Sequence, residues 1–362
     1  MTNEYVTASM DDLGKNLRPR RRAFYAGVTI IAALYLLAIF SEFIAPYSYR
    51  DQTRNEPSAP ASTVRFVDID GNFHLRPFIY GRKLVDARSY SYEEDTSKTF
   101  PLSFFVRGDA YSLLGLVRTD IHLFGIDRAD ETTPRVRLLG TDQLGRDRFS
   151  RLLVASRFSL LVSPIGTLLA CVIGVIFGAI SGYANRTVDG LMMTVADTVI
   201  SLPTLILILA ARAAFPLELP PVRAAMMLVA IFALTGWAEM ARLARGQVVA
   251  IKQRDFILAA RAGGSTETRI LWRHILPNIA GSLIVQATLL LPAFFLAEIA
   301  LSFLGVGLQE PEPSLGNMLT HASDLTQLAQ YPILLLSPAF IIFLFVLGIR
   351  LLSRRQNNLS PR

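Results

Sequence analysis

The chain has 362 residues, 52% of them hydrophobic and only 18% charged, with a formal net charge of +7. Such a composition is too apolar and too sparsely charged for an ordinary soluble protein of this length, and it points to a membrane protein. The positive charge does not imply a nucleic-acid partner, because much of the Lys and Arg flanks apolar runs, where it orients a membrane protein. Cys171 is the single cysteine and lies within an apolar run, so neither a disulfide nor a thiolate metal cluster can be built inside the chain.

Taken in chain order, the first apolar run is Phe24 to Ala45, behind Arg18, Arg20, Arg21 and Arg22. It is too long for a signal peptide and is read as a retained first span. Further spans are predicted over Ser159 to Tyr183, Val188 to Ala213, Val222 to Ala241, Asn278 to Leu301 and Pro332 to Leu352. Each reaches the roughly 20 residues that a helix needs to cross about 30 Å of hydrocarbon. The expected architecture is an all-α integral membrane protein of six spans, because the backbone must satisfy its own hydrogen bonds in lipid. Six crossings put both termini on one side. The N-terminal arginines, the stretch 242–273, Arg350, Arg354 and Arg355 all fall on that side, so it is read as cytoplasmic.

The expected division is a cytoplasmic tail (1–23), a first span (24–45), an external insertion (46–148), a membrane core (149–352) and a cytoplasmic tail (353–362). In the insertion, the part through Ser62 resembles a linker. Val64 to Ile69 and Phe73 to Tyr80 have strand-like composition around Asp70-Gly71-Asn72, and Phe104 to Val106 precede a turn signal at Arg107-Gly108-Asp109. Aromatic residues including Phe66, Phe78 and Phe124 supply apolar area that favours a compact, β-rich fold over a floppy loop. From Asp147, alternating arginines and apolar residues predict a short helix on the membrane surface before the second span.

The cytoplasmic connection 242–277 is long for a compact bundle. Asp255 and the segment through Ala260 favour helix, Gly263-Gly264 interrupt it, and Glu267 to His274 resume before Leu276-Pro277 open the next span. Helix, turn, helix fits either a docking device for another protein or a hairpin resting on lipid headgroups.

Leu258-Ala259-Ala260-Arg261-Ala262-Gly263-Gly264, nine residues and then His274-Ile275-Leu276-Pro277 resemble the E-A-A-x-x-x-G-x(9)-I-x-L-P loop of ABC importer permeases. Leu258 stands where that pattern has Glu, and His274 where it has Ile. Leu139 to Asp147, continuing through Ser150-Arg151-Leu152, resembles the stretch before the second span of dipeptide and oligopeptide permeases. Glu298 to Leu308 followed by Pro313 to Leu319 is similar to the segment after that family's penultimate span, with Leu315 where Trp is common. The resemblance does not cover the insertion.

It implies a type I ABC importer permease of the bacterial inner membrane, importing di- or oligopeptides, or nickel or another small solute. Its implied partners are a second permease in a heterodimer, two cytoplasmic ABC ATPase subunits and a periplasmic substrate-binding protein. The loop residues Asp255, Leu258, Ala259, Ala260, Gly264, His274, Leu276 and Pro277 would couple to the ATPase. The insertion's own placement between the first two spans puts it on the outer face, where it would contact the binding protein or shield the entrance.

Asp197 and Glu298 are ionisable groups in apolar runs, where burial is costly unless they are hydrated or paired, and are candidate pathway-lining residues; a structural pairing is the competing reading. Pro203 and Pro292 can kink their helices. There is no G-x-x-x-x-G-K-[ST] phosphate loop, and no catalytic set, cofactor or metal site is expected. The histidines His74, His122, His274 and His321 lack metal-ligand spacing. An ion-driven secondary transporter would call for inverted repeats and several intramembrane charges, which are not evident.

Overall fold

The computed structural model describes residues 22–86, 90–113, 115–127, 133–216, 219–320, 328 and 332–356. The tails expected at 1–23 and 353–362, and His321, therefore lie wholly or largely outside the described residues. Among the described residues, five helices are long and apolar enough to cross a membrane, and a sharply bent pair makes up to six. The chain divides into two compact units, one of Met1–Ala33, Leu160–Leu301 and Phe343–Arg362, the other of Leu34–Ser159 and Ser302–Ile342.

In the first unit, the packing is carried by α3 (Arg148–Tyr183) from Leu160 onward, α6 (Pro221–Lys252), α9 (Leu276–Phe303) and α11 (Ile333–Gln356), the last following the short α10 (Leu315–Thr320) of the second unit. A first helix, α1, covers Arg22–Ile39. On α3, Gly166, Ala170, Gly174, Gly178 and Gly182 recur every four residues and therefore share one face. That face lies on α6. A Cβ at Gly166 would sit 2.8 Å from that of Phe232, one at Gly174 would sit 2.5 Å from the Trp237 carbonyl oxygen, and one at Gly178 would strike the Ala241 carbonyl. Lipid offers apolar side chains no hydrophobic gain from pairing, so helices associate through van der Waals contact, and small residues permit it. Gly27 and Gly348 do the same for α1 and α11, where a Cβ at Gly27 would sit 2.9 Å from the Gly348 carbonyl oxygen. Aromatic rings fill the rest: Phe232 stacks on Phe294 at 4.7 Å, and Phe295 meets Phe345 at 4.2 Å.

Two expectations need correction. The third span is not one helix: α4 (Arg186–Ser201) and α5 (Thr204–Ala213) meet at 90° across Leu202-Pro203. Pro203 has no N–H to donate and disfavours helix in the residue before it, and Leu202 is accordingly extended. Pro292, by contrast, sits within a continuous α9. The short surface helix expected from Asp147 is instead the start of the unbroken 36-residue α3.

The second unit holds the insertion. A short helix, α2 (Ser41–Ile44), follows the first span. Strands β1 (Arg65–Val67), β2 (Phe73–Asp86) and β3 (Ser91–Pro101) form one antiparallel sheet, and β4 (Ser103–Leu113) and β5 (Val117–Gly125) a second. Ile79, Ile126 and Val136 make their shared core with Phe100, Leu102, Phe124 and Leu138. The two expected strands are present as β1 and β2, but the turn expected at Arg107-Gly108-Asp109 is not: these residues lie inside β4, where the register to β5 shifts between Arg107 and Tyr111, so the glycine marks a bulge and not a chain reversal. Residues 46–62 are not a free linker. Ser58 N–H donates to Asp142 O at 2.8 Å, Thr141 N–H to Ala59 O at 2.9 Å and Ser62 N–H to Arg137 O at 2.7 Å. Gly140 and Gly145, at φ +72°, let this irregular chain approach, since a Cβ at either would strike a backbone carbonyl of Ala59 or Thr53.

Gly178→Leu should lower stability by about 1–3 kcal/mol or more through overpacking. Gly190→Ala, where a Cβ meets nothing within 4 Å, should be neutral or stabilising by up to about 1 kcal/mol; thermal unfolding of the purified subunit in detergent separates the two. In the β1–β2 turn, Asp68 accepts from His74 Nε2 at 2.9 Å and from Asn72 N–H at 2.8 Å. These bonds, that of His74 foremost, hold its carboxyl at about 2, below the usual 3.8. A depressed carboxyl stabilises the fold above its unfolded value, so hydrogen-exchange protection of this turn should fall as pH drops from about 4 to about 2.

Candidate coupling loop and membrane-depth charges

The connection between α6 and α9 is an ordered hairpin of α7 (Asp255–Ala262) and α8 (Glu267–Ile270), followed by a π-helical turn over Leu271–Ile275. The π turn precedes Pro277, which has no N–H to continue the regular ladder, and Leu276 N–H bonds five residues back to Leu271 O. α7 ends in a glycine cap: Ser265 N–H donates to Ala260 O at 3.1 Å and Gly264 N–H to Arg261 O at 3.0 Å. Gly264 has φ +80°, a conformation that a Cβ would strain. Arg261 closes the turn with two hydrogen bonds to Glu267, at 2.6 and 3.1 Å.

The hairpin is braced by one cluster. Ile257 of α7 is fully buried with Ile270, Ile275, Ile279, Val248 and Ala179. Its neighbours point outward: Asp255, Phe256, Leu258, Ala259, Ala262 and Gly264 are exposed, as is Pro277, while Ala260, His274 and Leu276 are half-buried. The loop thus shows a small apolar surface on a rigid support. A cavity of about 340 Å³ adjoins Leu258, lined also by Lys252, Gln253 and Arg261.

Asp197 pairs with Arg242 at 3.1 Å, both about half-exposed or more. Glu298 is fully buried and does not reach the exposed surface. Sequence reading missed a second polar contact at similar depth, the Gln286 amide donating to Glu239 Oε2 at 3.0 Å. The signal was there: Glu239 and Gln286 interrupt otherwise apolar runs. Asp189 accepts from Ser181 Oγ at 2.5 Å, from Arg245 Nε at 3.0 Å and from Arg245 Nη2.

The motif from Leu139 to Leu152 builds a buried charge network in the second unit. Asp142 accepts from Leu144 N–H and Arg146 N–H, both at 2.9 Å, and from Arg146 Nε at 2.7 Å. Arg146 and Arg151 then share Glu310, at 2.7 and 2.8 Å. Arg137 reaches Glu56 at 3.0 Å and Thr53 at 2.8 Å. Burial raises the Asp147 carboxyl above its usual range, against the lowering by Arg137. Glu312 accepts from Tyr49 at 2.7 Å; burial first, then this bond, pushes the phenol up to about 12. The histidines lie apart: His74 on Asp68, His122 buried against the Ala45 and Asp109 carbonyls, His274 beside the hairpin.

Residues 174–360 match the family described as binding-protein-dependent transport system inner membrane component. The chain belongs to that family. Residues 19–60 match a second, the N-terminal transmembrane domain of oligopeptide transport permease C. The chain is 36% identical over 232 residues to the oligopeptide transport system permease protein OppC of Bacillus subtilis (strain 168), covering 64% of this chain and 73% of that one. It is 37% identical over 224 residues to the dipeptide transport system permease protein DppC of the same organism, covering 62% and 68%. It is 35% identical over 229 residues to the glutathione transport system permease protein GsiD of Pectobacterium atrosepticum, covering 63% and 73%. As a family member with several apolar helices, the chain is a multi-pass membrane transport component and not an enzyme.

Asp142→Asn should cost about 3–5 kcal/mol, because it leaves the buried Arg146 and Arg151 guanidiniums short of their anion. Glu310→Gln, at a side chain 42% exposed, should cost less; urea unfolding of the two variants, followed by intrinsic fluorescence, gives the order.

Proposed function

We propose that the chain is the membrane-spanning subunit of an ATP-driven importer of di- or oligopeptides, of the type I permease fold, forming half of the translocation pathway. Its partners are a second, similar permease, two cytoplasmic ATPase subunits and an external substrate-binding protein. Both termini and the hairpin of α7 and α8 lie in the cytoplasm, and the membrane is the bacterial inner membrane; α6 runs on to Lys252, so the expected loop boundary at 242 falls inside a helix. The family match carries this reading, and relatives named for oligopeptide, dipeptide and glutathione transport support a peptide substrate.

The hairpin supports the coupling role. Coupling needs a surface that a partner can grip and a support that does not yield. Ala259 and Gly264 allow close approach, Phe256 and Leu258 offer apolar area, and Ile257 carries displacement to α3, α6 and α9 through its cluster. Closure of the ATPase pair then moves the spans as packed bodies between inward and outward access. Leu258 in place of the family's Glu makes this contact apolar, so its strength should vary little with salt. Asp197 lines the pathway, whereas Glu298 is a buried structural carboxylate.

Ala259→Arg should abolish co-purification of the ATPase subunits and peptide-stimulated hydrolysis in nanodiscs, with little change in the subunit's melting temperature, because Ala259 is exposed. Retained association and turnover would make the hairpin a lipid-resting element and remove the coupling role.

A further inference from the structure

The face of α6 left open by its neighbours changes character along its length. Val222, Met226, Ala230 and Leu234 are exposed, then Glu239, Arg242, Gly246 and Ala250. Helix α6 is otherwise the most enclosed of the candidate spans, with 61% of its apolar window buried. An exposed face on such a helix is either lipid-contacting or covered by water or protein.

Its polar half cannot face hydrocarbon. Asp197, held by Arg242, stands nine residues past Val188, where its apolar run begins, and Gln286, held by Glu239, stands eight past Asn278. At 1.5 Å per residue both lie roughly 12 Å inside their spans. A long Arg can reach a headgroup from there, but the short Asp and Glu carboxylates cannot, and an ionised group in hydrocarbon costs at least about 2.5 kcal/mol. The backbone beside them gives an independent reason. Ser201 to Ile206, around the 90° break, are exposed, and a broken helix in lipid would leave peptide groups unsatisfied. Lipid therefore does not cover this face in the assembled transporter.

We infer that Glu239, with Gln286, and Arg242, with Asp197, form a zwitterion subsite on the pathway wall that takes the free termini of the passing peptide. Glu239 and Arg242 are three residues apart on α6, so their Cβ atoms are about 5–6 Å apart. An extended dipeptide spans at most about 7 Å. One Gln286 bond leaves the Glu239 carboxylate with acceptor capacity for an ammonium, and the guanidinium has five N–H donors, more than Asp197 can occupy. The tethering partners, Gln286 and Asp197, hold the two charges apart and keep them from neutralising each other.

This subsite rests on the peptide-importer reading, and the experiment separates the two. The complete complex with its binding protein is reconstituted in proteoliposomes, and uptake of radiolabelled dialanine is measured. Glu239→Gln should lower uptake by roughly tenfold, the size expected for one charge-assisted hydrogen bond, while Glu239→Asp should stay within about threefold of wild type. In a Cys171→Ser background, Glu239→Cys should react with a membrane-impermeant cationic thiosulfonate reagent, and dialanine should slow that reaction. Wild-type uptake by Glu239→Gln would overturn the subsite and leave the importer standing. So would a cysteine at 239 that stays unreactive with and without nucleotide, since that outcome places the face against lipid or against the second permease. Absence of dialanine uptake by the wild-type complex would overturn the dipeptide reading, and the subsite with it.

Discussion

The close approach of α3 to α6 is the constraint on which the membrane unit depends. A row of small residues every four positions lets two backbones touch where lipid offers no hydrophobic reward for pairing. Once α3 and α6 are locked, Val248 and Ala179 are fixed beside each other, and these supply part of the seat in which Ile257 of the hairpin is held. Phe294 is likewise placed against Phe232 and Gly236, which ties α9 to the same pair. The hairpin's geometry is thus a downstream result of glycine spacing some 80 residues earlier in the chain.

Much of this was legible because membrane helices are written in composition. Length and apolarity alone located the five long apolar helices, since about 20 residues cross the hydrocarbon whatever surrounds them. The hairpin was readable for a local reason as well: Gly263-Gly264 end α7, and a glycine cap is a property of a few adjacent residues. What sequence reading did not reach were features created by distant partners. The glycine row on α3 looked like ordinary apolar sequence until Trp237 and Ala241 were seen against it. Pro203 was noticed, but a proline alone does not say whether a helix bends slightly or turns through a right angle; its neighbours decide that.

The same holds for the charged groups. Asp142, Arg146 and Arg151 formed a recognisable motif, yet its purpose depends on Glu310, more than 150 residues later. Buried ion pairs of this kind add little net stability over apolar packing, and their retention is better understood as fixing one arrangement among several. Asp197 and Glu298 looked alike in sequence, as single acids in apolar runs. The fold separates them: one faces outward and is paired with an arginine, and the other is enclosed.

The charge network also limits how the second unit can move. Glu310 grips arginines from before and within the start of α3, and two residues later Glu312 grips Tyr49 and Arg50 just beyond the first span. Two stretches far apart in the chain, Tyr49-Arg50 and Arg146 to Arg151, are therefore pinned to one short loop. They form a truss, and a truss transmits load without changing shape. Moving either stretch on its own means breaking its bonds to that loop, so their positions are coupled.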